Sequence, residues 1–283
     1  MTSIRQPAVA GQFYEGTESA LRQQIDSVFR HEHGPGEIPA VRDGPPAVLG
    51  LVSPHAGYPY SGPVAAHGFG VLARSGTPDA AIVLGPNHDG VGIDAALSGA
   101  DRWETPLGTV PVHDDLTHRI AAATDAISVD ERTHQGEHSI EVQVPFIQYF
   151  YDDSVPIVPI CFTRQDPGLV SDVSEAVVDA VEATGLDVVL VSSTDLTHYQ
   201  PQDVASEQDS KAIDQMEALD GSGLLDTVRA ENISMCGYGP TASVLDAASA
   251  LGAMDGQLLK YATSGDTAGP SREVVGYASV MAK

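Results

Sequence analysis

The sequence predicts an α/β fold: a central mixed, largely parallel sheet flanked by helices, forming one domain over residues 1–283. Three observations predict it. Short apolar runs recur between Pro- and Gly-bearing turns, at Val48–Val52, Ala80–Leu84 and Val188–Val191, and such runs read as buried strands. Segments of helical period alternate with them, which is the pattern of a parallel sheet with crossover helices. Near the end, Leu258–Ala262 and Val274–Val280 read as strands joined through Ser264-Gly265-Asp266, a hairpin-like return that makes the sheet mixed. The first three runs share a further feature. Each leads into a His-bearing loop: Ser53-Pro54-His55, Gly85-Pro86-Asn87-His88, and Ser192-Ser193-Thr194-Asp195-Leu196-Thr197-His198. Open α/β sheets bind ligands at the carboxyl ends of their strands, so the three loops point to one polar site.

The remaining elements follow in order. Residues 5–14 read as an arm, too polar for a core strand. Thr17-Glu18-Ser19 opens a helix that places Leu21, Ile25, Val28 and Phe29 at helical spacing. Residues 31–46 are a loop rich in Pro and Gly. Residues 61–74 alternate small and apolar side chains and predict a helix lying close on the sheet, with His67 packed or solvated. A strand is expected near 94–97, a loop over 103–108, a strand at 109–112 and a helix at 116–123, beside which His113 and His118 are solvated. Ile140, Val144, Ile147 and Tyr151 keep a helical face, and Pro145 requires a kink or a late start. The prolines in Val155–Ile160 predict a short or edge strand. Helices are expected at 166–183, 203–219 and 241–251, the last entered by a tight turn at Ser234–Pro240.

Composition narrows the function. With 14 Lys plus Arg against 39 Asp plus Glu, the net charge is −25, spread without long acidic runs. Nucleic acid and anionic membrane surfaces need basic patches, so neither is an expected partner. High ionic strength screens self-repulsion of this size; the acidic, Lys-poor chain is expected in the cytoplasm of a halophilic archaeon. No apolar run approaches the ~20 residues of a membrane span. The two cysteines, Cys161 and Cys236, form no disulfide framework, which fits a reducing compartment.

Three residues offer metal-ligating chemistry: His55, His88 and Cys236. Imidazole and thiolate suit Fe(II), Cu and Zn(II), and a three-ligand set leaves positions open. Each also has a plain reading, as a polar loop residue or, for Cys236, a small buried hydrophobe. Asp195 and His198 form an acid/base pair, or else a helix N-cap with His198 in the first turn. Glu137, His138 and Glu141 form another acid/base set. If a helix has begun there, the i, i+4 carboxylates share a face at a cost that a cation or proton would relieve. Phosphate-loop and nucleophile-elbow motifs are absent, and two Gly-x-Gly-x-x-Ala matches lack the strand–turn–helix context of a dinucleotide site.

Several stretches together resemble the Memo family, relatives of the class III extradiol dioxygenases. They are residues 5–14 (Arg-Gln-Pro-Ala-Val-Ala-Gly-Gln-Phe-Tyr), Ser53–Tyr58, Leu84–His88, Glu137–Glu141, Ser193–Tyr199 and Cys236-Gly237, with Tyr261–Asp266 and Val275–Ala278 near the end. The resemblance implies a class III extradiol dioxygenase-like fold. It implies that His55, His88 and Cys236 face a metal, iron or copper, and that His138, Asp195 and His198 line the same pocket and carry any proton transfer. The microbial members belong to the AmmeMemoRadiSam system, which implies radical-SAM and AMMECR-type protein partners and an unknown small-molecule substrate. The related dioxygenases use two His and a carboxylate, whereas Cys236 holds the third place here, and a thiolate is itself oxidisable. The expected function is therefore a metal-binding protein with a dioxygenase-like pocket; a scaffold protein and a Zn- or Cys-dependent hydrolase are the alternatives.

Overall fold

Successive side chains of a strand point to opposite faces of its sheet, and here both faces are apolar, so the sheet is covered on both sides. The computed structural model describes residues 2–269 and 272–283. The first part of the chain forms β1 (Ile4–Arg5), α1 (Glu18–Arg30), β2 (Gly50–Ser53), α2 (Tyr58–Ser75) and β3 (Ala80–Pro86). Then come β4 (Ala95–Leu97), β5 (Arg102–Thr105), β6 (Gly108–Pro111), α3 (Asp114–Ala123), β7 (Ser128–Val129) and α4 (Val144–Tyr151). Next are β8 (Ile157–Phe162), α5 (Pro167–Thr184), β9 (Val188–Ser193) and β10 (His198–Gln200). The chain ends with α6 (Gln202–Glu217), α7 (Gly221–Ala230), α8 (Tyr238–Ala250), β11 (Gly256–Thr263), α9 (Ser264–Thr267) and β12 (Val274–Ala282).

Among the described residues the main sheet has nine strands. Its centre is parallel, in the order β2-β9-β3-β8. β12 lies antiparallel to β2 and carries β10 and β11, while β4 lies antiparallel to β8 and carries β7. Leu51, Val83, Val189 and Val191 pack with α1, α2 and α4; Val52, Ile82, Leu84 and Leu190 pack with α3, α5, α6, α7 and α8. The close seat of α2 needs Gly68: a Cβ there would lie 2.4 Å from Leu51 and 2.7 Å from Ser279. Among the described residues, no helix is long and apolar enough to cross a membrane.

Several local expectations are corrected. β8 is interior, not an edge, despite its prolines. The Pro159 carbonyl accepts from Ser98 N–H at 3.2 Å, just where β4 ends, so the donor that Pro159 lacks falls beyond that short strand. Residues 102–111 form a hairpin rather than a loop and a strand. No helix follows Asp195; the chain runs on into β10. α7 carries two glycines in its first turn, a poor helix signal, yet Asp220 caps it by accepting Gly223 N–H. α4 makes the late start that Pro145 demands, after a 3-10 turn at Glu141–Gln143.

The largest departure is the N-terminal arm. β1 pairs with β5, and Arg5, 4% exposed, enters the interior. Its guanidinium stacks on Trp103 at 4.2 Å and donates to the carbonyls of His134 and Glu137 and to the Glu141 carboxylate. Glu141 also accepts from Ala8 N–H, Val9 N–H and the Tyr14 hydroxyl. Glu137 and Glu141 thus do not share a helix face, and the like-charge cost expected of them does not arise. Removing one partner of a buried pair strands the other charge, at a cost of about 3–5 kcal/mol. Arg5→Met is expected to lower stability by that order in urea unfolding, and Arg5→Met/Glu141→Gln to recover part of the loss.

His134 gives a pH prediction. It is buried, its Nε2–H donates to Ala96 O at 3.1 Å, and its Nδ1 has no hydrogen-bond partner. Burial, with the Arg5 charge adding, lowers its pKa from 6.5 to about 4. The unfolded chain therefore binds this proton first as pH falls. The stability held above pH 6.5 is lost progressively down to pH 4, by about 3 kcal/mol for this one group. Urea unfolding across that range is expected to show a shallower decline in His134→Gln.

Candidate metal centre

β2, β9 and β3 lie side by side with Ser53 level with Ser193, so their carboxyl ends carry His55, Asp195 and His88 to one edge of the sheet. Cys236 arrives from the turn before α8. Its Sγ accepts Asp195 N–H at 3.2 Å, and its own N–H donates to Asp195 O at 3.3 Å. Gly237 permits this approach, because a Cβ there would lie 2.6 Å from the Ser193 carbonyl. One ligand atom from each of His55, His88 and Cys236 falls within 4.8 Å of the others.

The tautomer of His55 follows from its neighbours. The single proton of Ser193 Oγ goes to the Ser139 carbonyl at 2.6 Å, and Gln143 Nε2 donates to the same Oγ at 2.8 Å. His55 Nδ1, 2.9 Å away, can only donate to it. Its Nε2 therefore carries a lone pair, 3.3 Å from Cys236 Sγ. Burial, then the neighbouring His138 and His88, pushes the His55 pKa well down and keeps the ring neutral.

His88 is oriented by Glu137, a buried carboxylate that takes His88 Nδ1–H at 3.0 Å and the backbone N–H groups of His88, His138 and Ser139. This leaves His88 Nε2 free. Burial opposes the charged form of His88, but the Glu137 bond and charge outweigh it and raise the pKa. Burial likewise opposes ionised Glu137, yet His88 holds its carboxyl well below the usual range. Glu137, His88 and His138 also present ligand atoms within 4.8 Å of one another. Glu137 is already engaged by four donors, so the His55–His88–Cys236 set has the freer atoms.

His55 and His88 open on a cavity of about 500 Å³ lined by Phe13, Tyr60, His138, Asp195, His198 and Tyr199 among others. The His138 ring lies 4.6 Å from that of His88 and 4.6 Å from that of Phe13. Burial is the main cause of its lowered pKa. His198 Nδ1 faces two carbonyls, Leu196 at 2.8 Å and Ser234 at 2.9 Å. It must be protonated there, which leaves Nε2 as the basic atom. Asp195 accepts His55 N–H at 2.8 Å, and burial raises its pKa. Burial, with Asp195 adding, pushes the Cys236 thiol up to about 12.

The structure thus brings together His55, His88, Cys236, His138, Asp195 and His198, with Glu137 bonded to His88; Glu141, the remaining member of the acid/base set expected from the sequence, is instead bound to the N-terminal arm. Sequence reasoning did not find Ser193 and Gln143, which fix the His55 tautomer, nor Arg5. A Ser at a strand end and a Gln in a turn carry no signal of their own. Cys161 is a packed thiol within the core, and His67 a packed His bonded to the His33 carbonyl at 3.0 Å.

Fold and site define an α/β protein with two neutral-capable imidazoles and a thiol gathered at the carboxyl edge of a parallel sheet. Comparison with known proteins gives the particular family. The sequence profile described as "Memo-like protein" matches residues 5–281. A MEMO1 family protein of Methanopyrus kandleri is 47% identical over 277 residues, covering 98% of each chain. One of Methanothermobacter thermautotrophicus is 46% identical, covering 97% of this chain and 99% of the relative. A crystal structure of an uncharacterized protein of Escherichia coli K12 shares the fold at 14% identity, with a TM-score of 0.56, over 83% of this chain and 99% of its own. The chain belongs to the Memo family.

The thiolate is the nucleophilic form of cysteine, and the site as described disfavours it. In protein treated with a chelator, iodoacetamide is expected to label Cys236 at least about a hundredfold more slowly at pH ~8 than a free thiol of ordinary pKa. Peptide mass spectrometry after timed quenching checks this.

Proposed function

We propose that this chain is a metal-binding protein whose His55, His88 and Cys236 hold Fe(II) or Cu, with Zn(II) the alternative, beside a pocket for a small molecule. The observation that carries the reading is the fixed tautomer of His55. The Ser193–Ser139–Gln143 network turns its Nε2 lone pair toward Cys236. Glu137 does the corresponding service for His88, the carboxylate–His arrangement that raises the basicity of metal ligands. The donor set fits a borderline ion. Asp195 and Cys236 also fit one, since both are buried next to each other and each resists its anionic form; a cation would relieve both.

An ion of this kind would supply Lewis acidity and, for iron or copper, redox chemistry. The residues around it bind and move protons. His198, with Nδ1 fixed as a donor, presents Nε2 to the cavity as a base, and His138 offers a second imidazole over the pocket. Phe13 and Tyr60 shield the bound molecule from water. The raised thiol pKa counts against the Cys-hydrolase alternative: the base that faces Cys236, His55 Nε2 at 3.3 Å, is itself weakened by burial and does not keep the thiol ionised.

Metal content of anaerobically purified protein tests the reading, with circular dichroism as the check on folding. Wild type is expected to carry near-stoichiometric iron or copper, and His55→Ala, His88→Ala and Cys236→Ser to lose it. A folded wild type that takes up none of these ions, or folded variants that retain them fully, would overturn the assignment.

A further inference from the structure

Asp209 lies in α6, is fully buried, and is not among the residues that line the cavity. Its two oxygens have neutral partners: Oδ1 accepts Thr197 N–H at 2.9 Å and Oδ2 accepts the Tyr261 hydroxyl at 2.8 Å. A carboxylate buried among neutral donors costs desolvation, and the backbone it grips supplies a reason for that cost. Thr197 N–H and Leu196 C=O belong to one planar trans peptide unit, whose two polar groups point in opposite directions. On the far side of that unit, the Leu196 carbonyl accepts His198 Nδ1–H at 2.8 Å. The carboxylate and the imidazole therefore hold the two ends of a single peptide. Its neighbours leave that peptide little freedom: Leu196 N–H donates to Gly276 O at 2.9 Å, and Gly276 N–H donates to Thr197 O at 2.9 Å. Asp209 can reach in only because residue 276 is glycine, since a Cβ there would lie 1.8 Å from Oδ2. Hydrogen bonds in a chain polarise one another, so a carboxylate on the N–H makes the C=O a better acceptor for the His198 ring.

We propose that Asp209 is a positioning residue for His198: it acts through the Leu196–Thr197 peptide to keep the ring proton on Nδ1 and the lone pair of Nε2 toward the cavity. Glu137 does this for His88 by direct contact; Asp209 does it one peptide removed. The inference deepens the functional reading, and it rests on that reading only in taking His198 as the base of the pocket.

Nuclear magnetic resonance on chelator-treated protein with isotope-labelled histidine rings tests it, in mildly alkaline buffer, which keeps imidazole neutral. The His198 signals are assigned from the His198→Gln variant. Wild type is expected to carry the His198 proton on Nδ1 and to protect the Thr197 amide from exchange with solvent. Asp209→Ala is expected to speed exchange of the Nδ1 proton with water about fivefold, the scale of one hydrogen bond. Asp209→Asn keeps an acceptor for Thr197 N–H and a partner for Tyr261, and is expected to stay within about twofold of wild type. Tyr261→Phe removes the other partner of the carboxylate; it is expected to lower stability in urea unfolding yet leave ring exchange within about twofold of wild type. A proton on Nε2 in wild type, or an unchanged exchange rate in folded Asp209→Ala, would overturn the proposal. So would a Tyr261→Phe effect equal to that of Asp209→Ala, which marks a general loosening. If Asp209→Ala does not fold, wild type and Asp209→Asn decide: an unprotected Thr197 amide in wild type overturns the proposal, and a protected amide with Asp209→Asn near wild type supports it. Iron or copper content, measured before the chelator is added, keeps the two readings apart. A His198 proton on Nε2 in protein that bound metal sinks this inference alone; the expected exchange pattern in folded protein that bound none sinks the metal assignment alone.

Discussion

The buried pairing of Arg5 with Glu141 ties together parts of the chain that no strand or helix connects. Arg5 lies at the start of the sequence and Glu141 at its middle, and their pair joins the N-terminal arm to the segment 134–141. That segment carries Glu137 and His138. The arm carries Phe13, whose ring packs on His138. A charge pair in a dry interior earns little net stability once desolvation is counted. Its effect here is geometric: Glu141 takes four donors from the arm and Arg5 takes three carbonyl contacts from the segment. Neither can shift without leaving a buried charge unpaired.

From this brace the polar order passes inward. Glu137 is fixed by its neighbours and in turn fixes His88 through both ring and backbone. Ser139, two residues on, receives the Ser193 hydroxyl and thereby sets the proton on His55. Two imidazoles on separate strands are thus oriented by one segment that belongs to neither. The same design explains the electrostatics. The ring of His88 bonds to a carboxylate and its pKa rises against burial, whereas the ring of His55 bonds to a hydroxyl and its burial pushes the pKa down.

Much of this frame was legible in the sequence because local chemistry dictates it. The apolar runs end at Val52, Leu84 and Val191, and their strands stop at Ser53, Pro86 and Ser193, each two residues before a site side chain, His55, His88 or Asp195. The alternation of Leu51 with Val52 and of Val83 with Leu84 is that of a sheet covered on both faces. The illegible part is where long-range pairing overrides local pattern. The arm reads as polar because it contains Arg5, yet Arg5 is the residue that buries it. Pro159 marks an edge by its missing donor, yet β4 is too short to need that donor. Gly221 and Gly223 hide α7, whose cap and partner helices supply what its propensity lacks. Ser193 and Gln143 are ordinary residues until the fold sets them beside His55.

Strand order explains why the two imidazoles meet at a useful separation. Neighbouring strands lie about 4.8 Å apart. Had β2 and β3 paired directly, rings at their ends would compete for one space. β9, which comes later in the chain, is inserted between them, so His55 and His88 start roughly 10 Å apart and lean toward each other across the end of β9. Their ring centroids end 5.2 Å apart and nearly perpendicular. Asp195 follows directly after β9, and its backbone N–H anchors Cys236 in the turn before α8. The thiol is therefore placed by the strand that separates the two imidazoles. A non-sequential strand order, which loop entropy makes slower to form than a meander, is what gives this site its spacing and its third side chain together.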